Sequence, residues 1–195
     1  MYLSRFGLQL CFLTAILLDH SSAASEPIAP GNYRDWNDVD EVTIVQPFRA
    51  EAYHQIAVES FDSSAVKLPD PDDNTYEAVR SALRMIKPAF INGVEKVARR
   101  KAPGASAAGT LIIRARLTKV DPGSQAARYF AGFGAGAVKI AIAGEIVDGA
   151  TGKTLVRFVQ ERRSAFGAFG GGYGQLFERT ARQLGGDIAG LINAF

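Results

Sequence analysis

The chain is poor in the residues that build redox and nucleophilic sites. Its 195 residues include one cysteine, Cys11, two histidines, His20 and His54, and one tryptophan, Trp36. Cys11 lies in an apolar run over residues 8–18, shorter than the roughly 20 residues that span a bilayer. Arg5 precedes the run, and a polar stretch ending in Ser22-Ala23-Ala24 follows it. That three-part order is the pattern of a secretory signal peptide cut after Ala24. Cys11 would leave with it, and Leu10 before it does not suit a lipid-attachment site. The expected mature chain then has no disulfide, no thiol nucleophile and no thiolate metal ligand. The implied destination is a bacterial periplasm, with outer-membrane association as an alternative.

An excess of charge of one sign is also missing. The 22 Lys and Arg nearly balance 20 Asp and Glu, for a net charge of +2. This lacks the basic footprint of a nucleic-acid binder. No other apolar run is long enough to cross a membrane. The organisation expected is a signal peptide over 1–24, an N-terminal arm or linker over 25–52, and a single α+β domain over 53–195. Pro27, Pro30 and Gly31 give the arm its linker character, Trp36 would anchor it to the body, and Val42 to Phe48 reads as a short strand or an extended arm ended by Pro47.

What is present reads as alternating strands and amphipathic helices. Residues 54–61 (HQIAVESF) alternate as a strand. After the turn-rich KLPDPDDN, Asn74 and Glu77 form a capping-box-like pair that opens a helix. Its apolar face carries Tyr76, Val79, Leu83, Ile86, Phe90, Val94 and Val97. Pro88 falls inside and would kink the helix or start a second one. Arg99, Arg100 and Lys101 suit the negative end of that helix.

Strands over 110–120 and 138–148 follow, then a turn with Gly152 at its positive-φ position, then a strand over 154–164. The hairpin register expected sets Val156 and Phe158 opposite Gly144 and Ile142, and Lys139 opposite Glu161. A helix over about 175–194 ends the chain, with Gly185 and Gly186 there for close packing. The order β-α-β-β-β-α predicts a two-layer α+β sandwich. Its four-stranded, mostly antiparallel sheet would carry both helices on one face. The other face would show Arg114, Arg116, Lys139, Glu145 and Arg157, either solvated or docked on something.

Two glycine-aromatic segments flank the hairpin, RYFAGFGAGAVK and FGAFGGGYG. Gly132, Gly134 and Ala137 match the G-x-G-x-x-[G/A] spacing of a dinucleotide turn. A working fingerprint follows a strand and opens a helix, where backbone amides meet the pyrophosphate. Here the glycines precede a strand, so neither a dinucleotide nor any other cofactor is expected. The mature chain's one histidine, His54, has no evident nucleophile beside it. The acids of PDPDDN lack the glycine and distal glutamate of a calcium loop. No catalytic or metal constellation is expected.

The segment RYFAGFGAGAVKIAIAGEIVDGATGKTLVRFVQERRS, with the glycine loop and terminal helix after it, resembles the bacterial domain-of-unknown-function family 4410. HQIAVESFD and its helix are similar to the start of that family. The resemblance implies exported or lipid-anchored bacterial proteins with an α+β fold and no established activity. The lipid-attachment cysteine of many members has no counterpart here. The β-α-β-β-β-α order is also similar to small envelope-assembly accessory lipoproteins.

Antiparallel geometry brings both glycine-aromatic loops to one end of the hairpin. Tyr129, Phe130 and Phe133 would then lie near Phe166, Phe169 and Tyr173, with Arg128, Arg162 and Arg163 beside them. Two readings stand: the aromatics cap the core, or with the arginines they form a contact surface of hot-spot residue types. On the second, the chain is a non-enzymatic envelope module that contacts a protein partner or itself as a homo-oligomer. Peripheral membrane contact is a further option. The alternative is a small-ligand carrier for a lipid, glycan or anion.

Overall fold

A computed structural model of the chain describes residues 28–98, 109–123, 137–164 and 172–195. The segments assigned to the signal peptide and to both glycine-aromatic loops lie outside the described residues, apart from Ala137, Val138 and Lys139 of the first loop and Gly172, Tyr173 and Gly174 of the second.

Residues 31–44 correct the linker expectation. Strands β1 (Gly31–Trp36) and β2 (Val39–Ile44) pair as an antiparallel hairpin. Its two-residue turn is Asn37-Asp38, at φ of 51° and 64°. Asn and Asp tolerate this left-handed conformation, which matches the twist of a hairpin. Val39, Val42 and Ile44 are buried. A 3-10 turn (Ala50–Ala52) then leads into β3 (Tyr53–Asp62).

Helix α1 (Tyr76–Ala98) starts one residue later than the Asn74 cap predicts, with the Thr75 carbonyl accepting the Val79 N–H at 3.0 Å. Pro88 does not start a second helix; it sits on the exposed side of one continuous helix. Strands β4 (Gly109–Asp121), β5 (Val138–Asp148) and β6 (Thr154–Ser164) follow, and α2 (Tyr173–Asn193) closes the chain.

The sheet has six strands rather than four, in the order β1-β2-β6-β5-β4-β3. Only β3 and β4 pair in parallel, because α1 crosses over between them. The arm hairpin supplies the two extra strands by pairing β2 along β6. Inward residues Leu111, Ile113, Leu117, Ile140, Ile142, Ile146, Val156 and Phe158 form one core with Ile86, Phe90, Phe177, Leu184 and Ile188 of the helices.

Both helices return from parallel strands, so they run side by side in the same direction. Their seam is made by glycine. A Cβ on Gly93 would stand 2.1 Å from the Arg182 carbonyl oxygen, and one on Gly185 would stand 2.1 Å from that of Phe90. Gly185 therefore serves close packing, as expected. Gly186 does not, since its nearest neighbour is a Val97 methyl at 3.6 Å.

The β5–β6 register is offset by two residues from the sequence reading: Gly144 faces Phe158, Ile142 faces Gln160 and Lys139 faces Arg163. A two-residue shift preserves which side chains face the core. Its source is a wide turn plus an irregularity after Ile146. Asp148 organises that turn. Its carboxylate accepts from Tyr53 Oη at 2.8 Å, the Thr151 N–H at 2.7 Å and the Ala150 N–H at 3.0 Å.

These bonds, the Tyr53 one first, hold the Asp148 carboxyl below the usual range. Burial, then Asp148 itself, pushes the Tyr53 phenol up to about 12. A carboxylate with a lowered folded-state pKa stabilises fully above its unfolded value, about pH 4. That contribution is lost as pH falls through the folded value. Asp148→Asn is therefore expected to narrow the drop in urea midpoint between pH 7 and pH 3. An unchanged drop would show that the turn carries no such linkage.

Candidate functional site: the open face of the sheet

The helices cover one face of the sheet, and strand alternation sends every second residue of β3–β6 to the other. On that face the register aligns Arg114 with Glu145 and Arg157, and Asp62 with Arg116, Ala143 and Val159. Lys119, Ala141 and Glu161 form the next row, and Asp121, Lys139 and Arg163 the last.

Most of these charges are engaged. Arg114 Nε donates to Glu59 Oε2 at 2.5 Å, and its Nη1 lies 3.6 Å from Glu145 Oε1. The Glu59 bond raises the Arg114 pKa. Lys119 pairs with Glu161 at 3.7 Å, Lys139 with Asp121 at 3.6 Å and Arg163 with Glu161 at 2.8 Å. Burial pushes the Glu161 carboxyl up, but Arg163, Lys119 and Lys139 outweigh it and the net shift is down.

Two cations are exceptions. Among the described residues Arg116 and Arg157 make no hydrogen bond or salt bridge; Asp62 feels Arg116 only through space. They flank a shallow groove of about 550 Å³ over β5. On β5 the small Ala143 keeps the trough low, and Asp62 and Glu145 share the lining with the arginines. Its walls, on β4 and β6, stand two strand spacings apart, roughly 9.5 Å. Val159 at the rim is 40% exposed.

The sequence-predicted site residues divide differently. Arg163 does lie on the open face. Arg162 does not: neighbours along a strand point to opposite faces. Its guanidinium grips Asp187 of α2 with Nε and Nη2, at 2.6 and 2.7 Å. That pairing raises its pKa against the opposing effect of burial. Gln160, 2% exposed, joins the node by donating to Asp187 at 3.1 Å and to the Asp38 carbonyl at 2.9 Å. It also accepts the Asp40 N–H at 2.8 Å. Tyr173 opens α2, half-buried, with its ring stacked on Phe177 at 6.4 Å.

Arg128, Tyr129, Phe130, Phe133, Phe166 and Phe169 lie outside the described residues. Their anchor points are described: Val138 pairs with Ser164, so the two loops leave the sheet from adjacent positions at one end. Sequence reading missed the Arg116–Val159–Arg157 groove. The signal available was the small-residue column of β5, flanked by arginines on both neighbours.

His54 is exposed and lines a separate pocket of about 70 Å³ with Glu51, Tyr53 and Asn193; no serine lines it. Among the described residues no three His, Cys, Asp or Glu side chains converge as metal ligands. Asp73 of PDPDDN is used by the chain itself, accepting from Thr75 N–H and Oγ1 at 2.7 and 2.6 Å. No described helix is long and apolar enough to cross a membrane.

These features define a class, a two-layer α+β domain with one helix-covered face and one open, charged face. The chain belongs to the family described as Domain of unknown function (DUF4410), whose model matches residues 56–168. The match runs from β3 through β6 and leaves out the β1–β2 hairpin and α2.

No curated protein matches the chain. Similar solved structures include the PelC dodecamer from Paraburkholderia phytofirmans, 12% identical, covering 75% of this chain and 96% of that one at a TM-score of 0.37. Protein XCC0632 from Xanthomonas campestris, of family DUF330, is 13% identical over 71% of this chain and 83% of that one, with a TM-score of 0.40. Hypothetical protein CT253 from Chlamydia trachomatis is 10% identical over 73% and 99%, with a TM-score of 0.37.

Proposed function

We propose that this chain is a non-enzymatic binding or assembly module of the bacterial cell envelope, one that contacts a protein partner or a second copy of itself. The observation that carries this reading is the groove of the open face. It combines two uncommitted guanidiniums, Arg116 and Arg157, with the exposed Val159, and arginine is enriched where proteins meet. The export pattern over residues 1–24 supports the compartment. The glycine-aromatic end is the second candidate surface, on residue type alone.

The competing carrier reading gains little. The pocket beside His54, about 70 Å³, falls far below the roughly 300 Å³ and more that ligand sites occupy, and the larger groove of the open face is a shallow trough where a carrier site is a concave cleft or cavity.

The test places a photoreactive residue at Val159, with a control at Lys87 on the exposed side of α1. Irradiation of intact cells is expected to give a protein adduct at position 159 and none at 87. Equal labelling at both, or none at either, would remove the open face as a contact surface.

A further inference from the structure

The two large hydrophobic side chains exposed among the described residues are Val159, 40%, and Leu68, 41%. Leu68 lies on the long connection between β3 and α1, beside an acidic knuckle. Asp70-Pro71-Asp72-Asp73 is a tight turn in which the Asp73 N–H donates to the Asp70 carbonyl at 2.9 Å. Pro71 at its second position stiffens it. Asp73 is committed to Thr75, whereas the exposed carboxylates of Asp70 and Asp72 make no hydrogen bond or salt bridge among the described residues.

The knuckle thus offers two free carboxylates next to an exposed leucine. The trough offers two guanidiniums without an ion pair, Arg116 and Arg157, next to an exposed valine; with Arg114 its lining carries three arginines against two carboxylates, Asp62 and Glu145. Among the described residues these groups do not meet: neither the carboxylates nor the guanidiniums have an ion-pair partner there. Complementary groups that do not pair within one chain are available to pair between molecules.

We propose that the Leu68–Asp72 knuckle of one copy docks in the Arg116–Val159–Arg157 trough of another. Leu68 packs on Val159, and Asp70 and Asp72 pair with the two arginines, which are suited to bidentate carboxylate contacts. The rigid turn lowers the ordering cost of the contact. Each copy uses its knuckle on one neighbour and its trough on another. The contact is therefore heterologous and builds a closed ring or a filament, not an isologous dimer. This inference rests on the open face being a contact surface and names what sits there.

The test is sedimentation velocity of the purified full chain over a concentration series, at low and high salt. Self-association is expected, weaker in high salt because part of it is between exposed charges. Arg116→Glu with Arg157→Glu should weaken it at least tenfold, and so should Asp70→Lys with Asp72→Lys. All four sites are exposed, so thermal midpoints should stay at the wild-type value. Mixing the two double variants should restore association, because each trough again meets a knuckle of opposite sign. A wild-type chain that stays monomeric, or an oligomer that neither double variant weakens, overturns the proposal. A Val159 adduct with a different protein, alongside a monomeric chain, overturns this inference and leaves the contact-surface reading standing. A monomeric chain with no adduct at Val159 ends both.

Discussion

Alanine at Gly93 or at Gly185 is expected to cost about 3 kcal/mol or more, the upper end of what overpacking costs a close-fitted core. The reason is the identity of the obstructing atom. At both positions the new methyl would meet a main-chain carbonyl oxygen at 2.1 Å, not the yielding end of a side chain. The helices would have to move apart, opening the core along Phe90, Val94, Ala181 and Leu184, all buried. For a domain of this size each kcal/mol lowers the melting temperature by about 2–4 °C, so a fall of about 6–12 °C is expected. Gly186→Ala is the internal control. Its new methyl has room, and removing a helix glycine should add up to about 1 kcal/mol. Melting followed by circular dichroism checks all three variants. Wild-type midpoints for the Gly93 and Gly185 variants would show that the helices do not touch at this seam.

Asp187→Ala is the second large loss, about 2 kcal/mol. It removes the acceptor of Arg162 and one acceptor of the nearly buried Gln160 at a stroke. Breaking a buried pair outright costs about 3–5 kcal/mol. The Arg162 side chain is 37% exposed, so water recovers part of its solvation and the smaller figure applies. The loss should also be local. The node ties α2 to β6, and through Gln160 to the Asp38 carbonyl and Asp40 N–H of the hairpin. Hydrogen exchange in Asp187→Ala is expected to speed up across β2 before it does in β4 or β5. Uniform loss of protection would show that the node stabilises the whole domain and not the hairpin's attachment.

The parts of this fold legible in the sequence were those governed by periodicity. The outward residues of β4 to β6 and the apolar stripe of α1 follow from spacing alone, because burial repeats with the element. What escaped was set by single residues or by distant partners. Polar Ser25 to Asp40 reads as a linker, yet Asn37-Asp38 makes a two-residue turn and Val42 and Ile44 find their cover on β6, more than 100 residues away. No local pattern announces such a pairing. At Pro88 a kink and a second helix read alike in the sequence, and the structure shows one helix running through it.

The candidate site was legible in part. Arg114, Arg116 and Arg157 were placed on the open face by alternation. Arg162 and Arg163 were read as one cluster because they adjoin in sequence, although a strand sends them to opposite faces. The groove itself needed the six-stranded register, because its floor and its two walls come from three different strands.

The hairpin that opens the described chain has a consequence for the order of assembly. β1 and β2 are synthesised early, but their seat on β6 is among the last parts of the chain to be made; Asp40 and Gln160 are 120 residues apart. Strands β3 to β6, with α1 between, form an unbroken run that needs nothing from the hairpin to pair. The hairpin can therefore take its seat only once β6 is in place. Until it does, β6 is a bare edge, and bare edges recruit whatever strand is nearest. In a crowded population of nascent chains that strand can belong to a neighbour. Exchange of hairpins between copies is the misassembly to which this topology is most exposed.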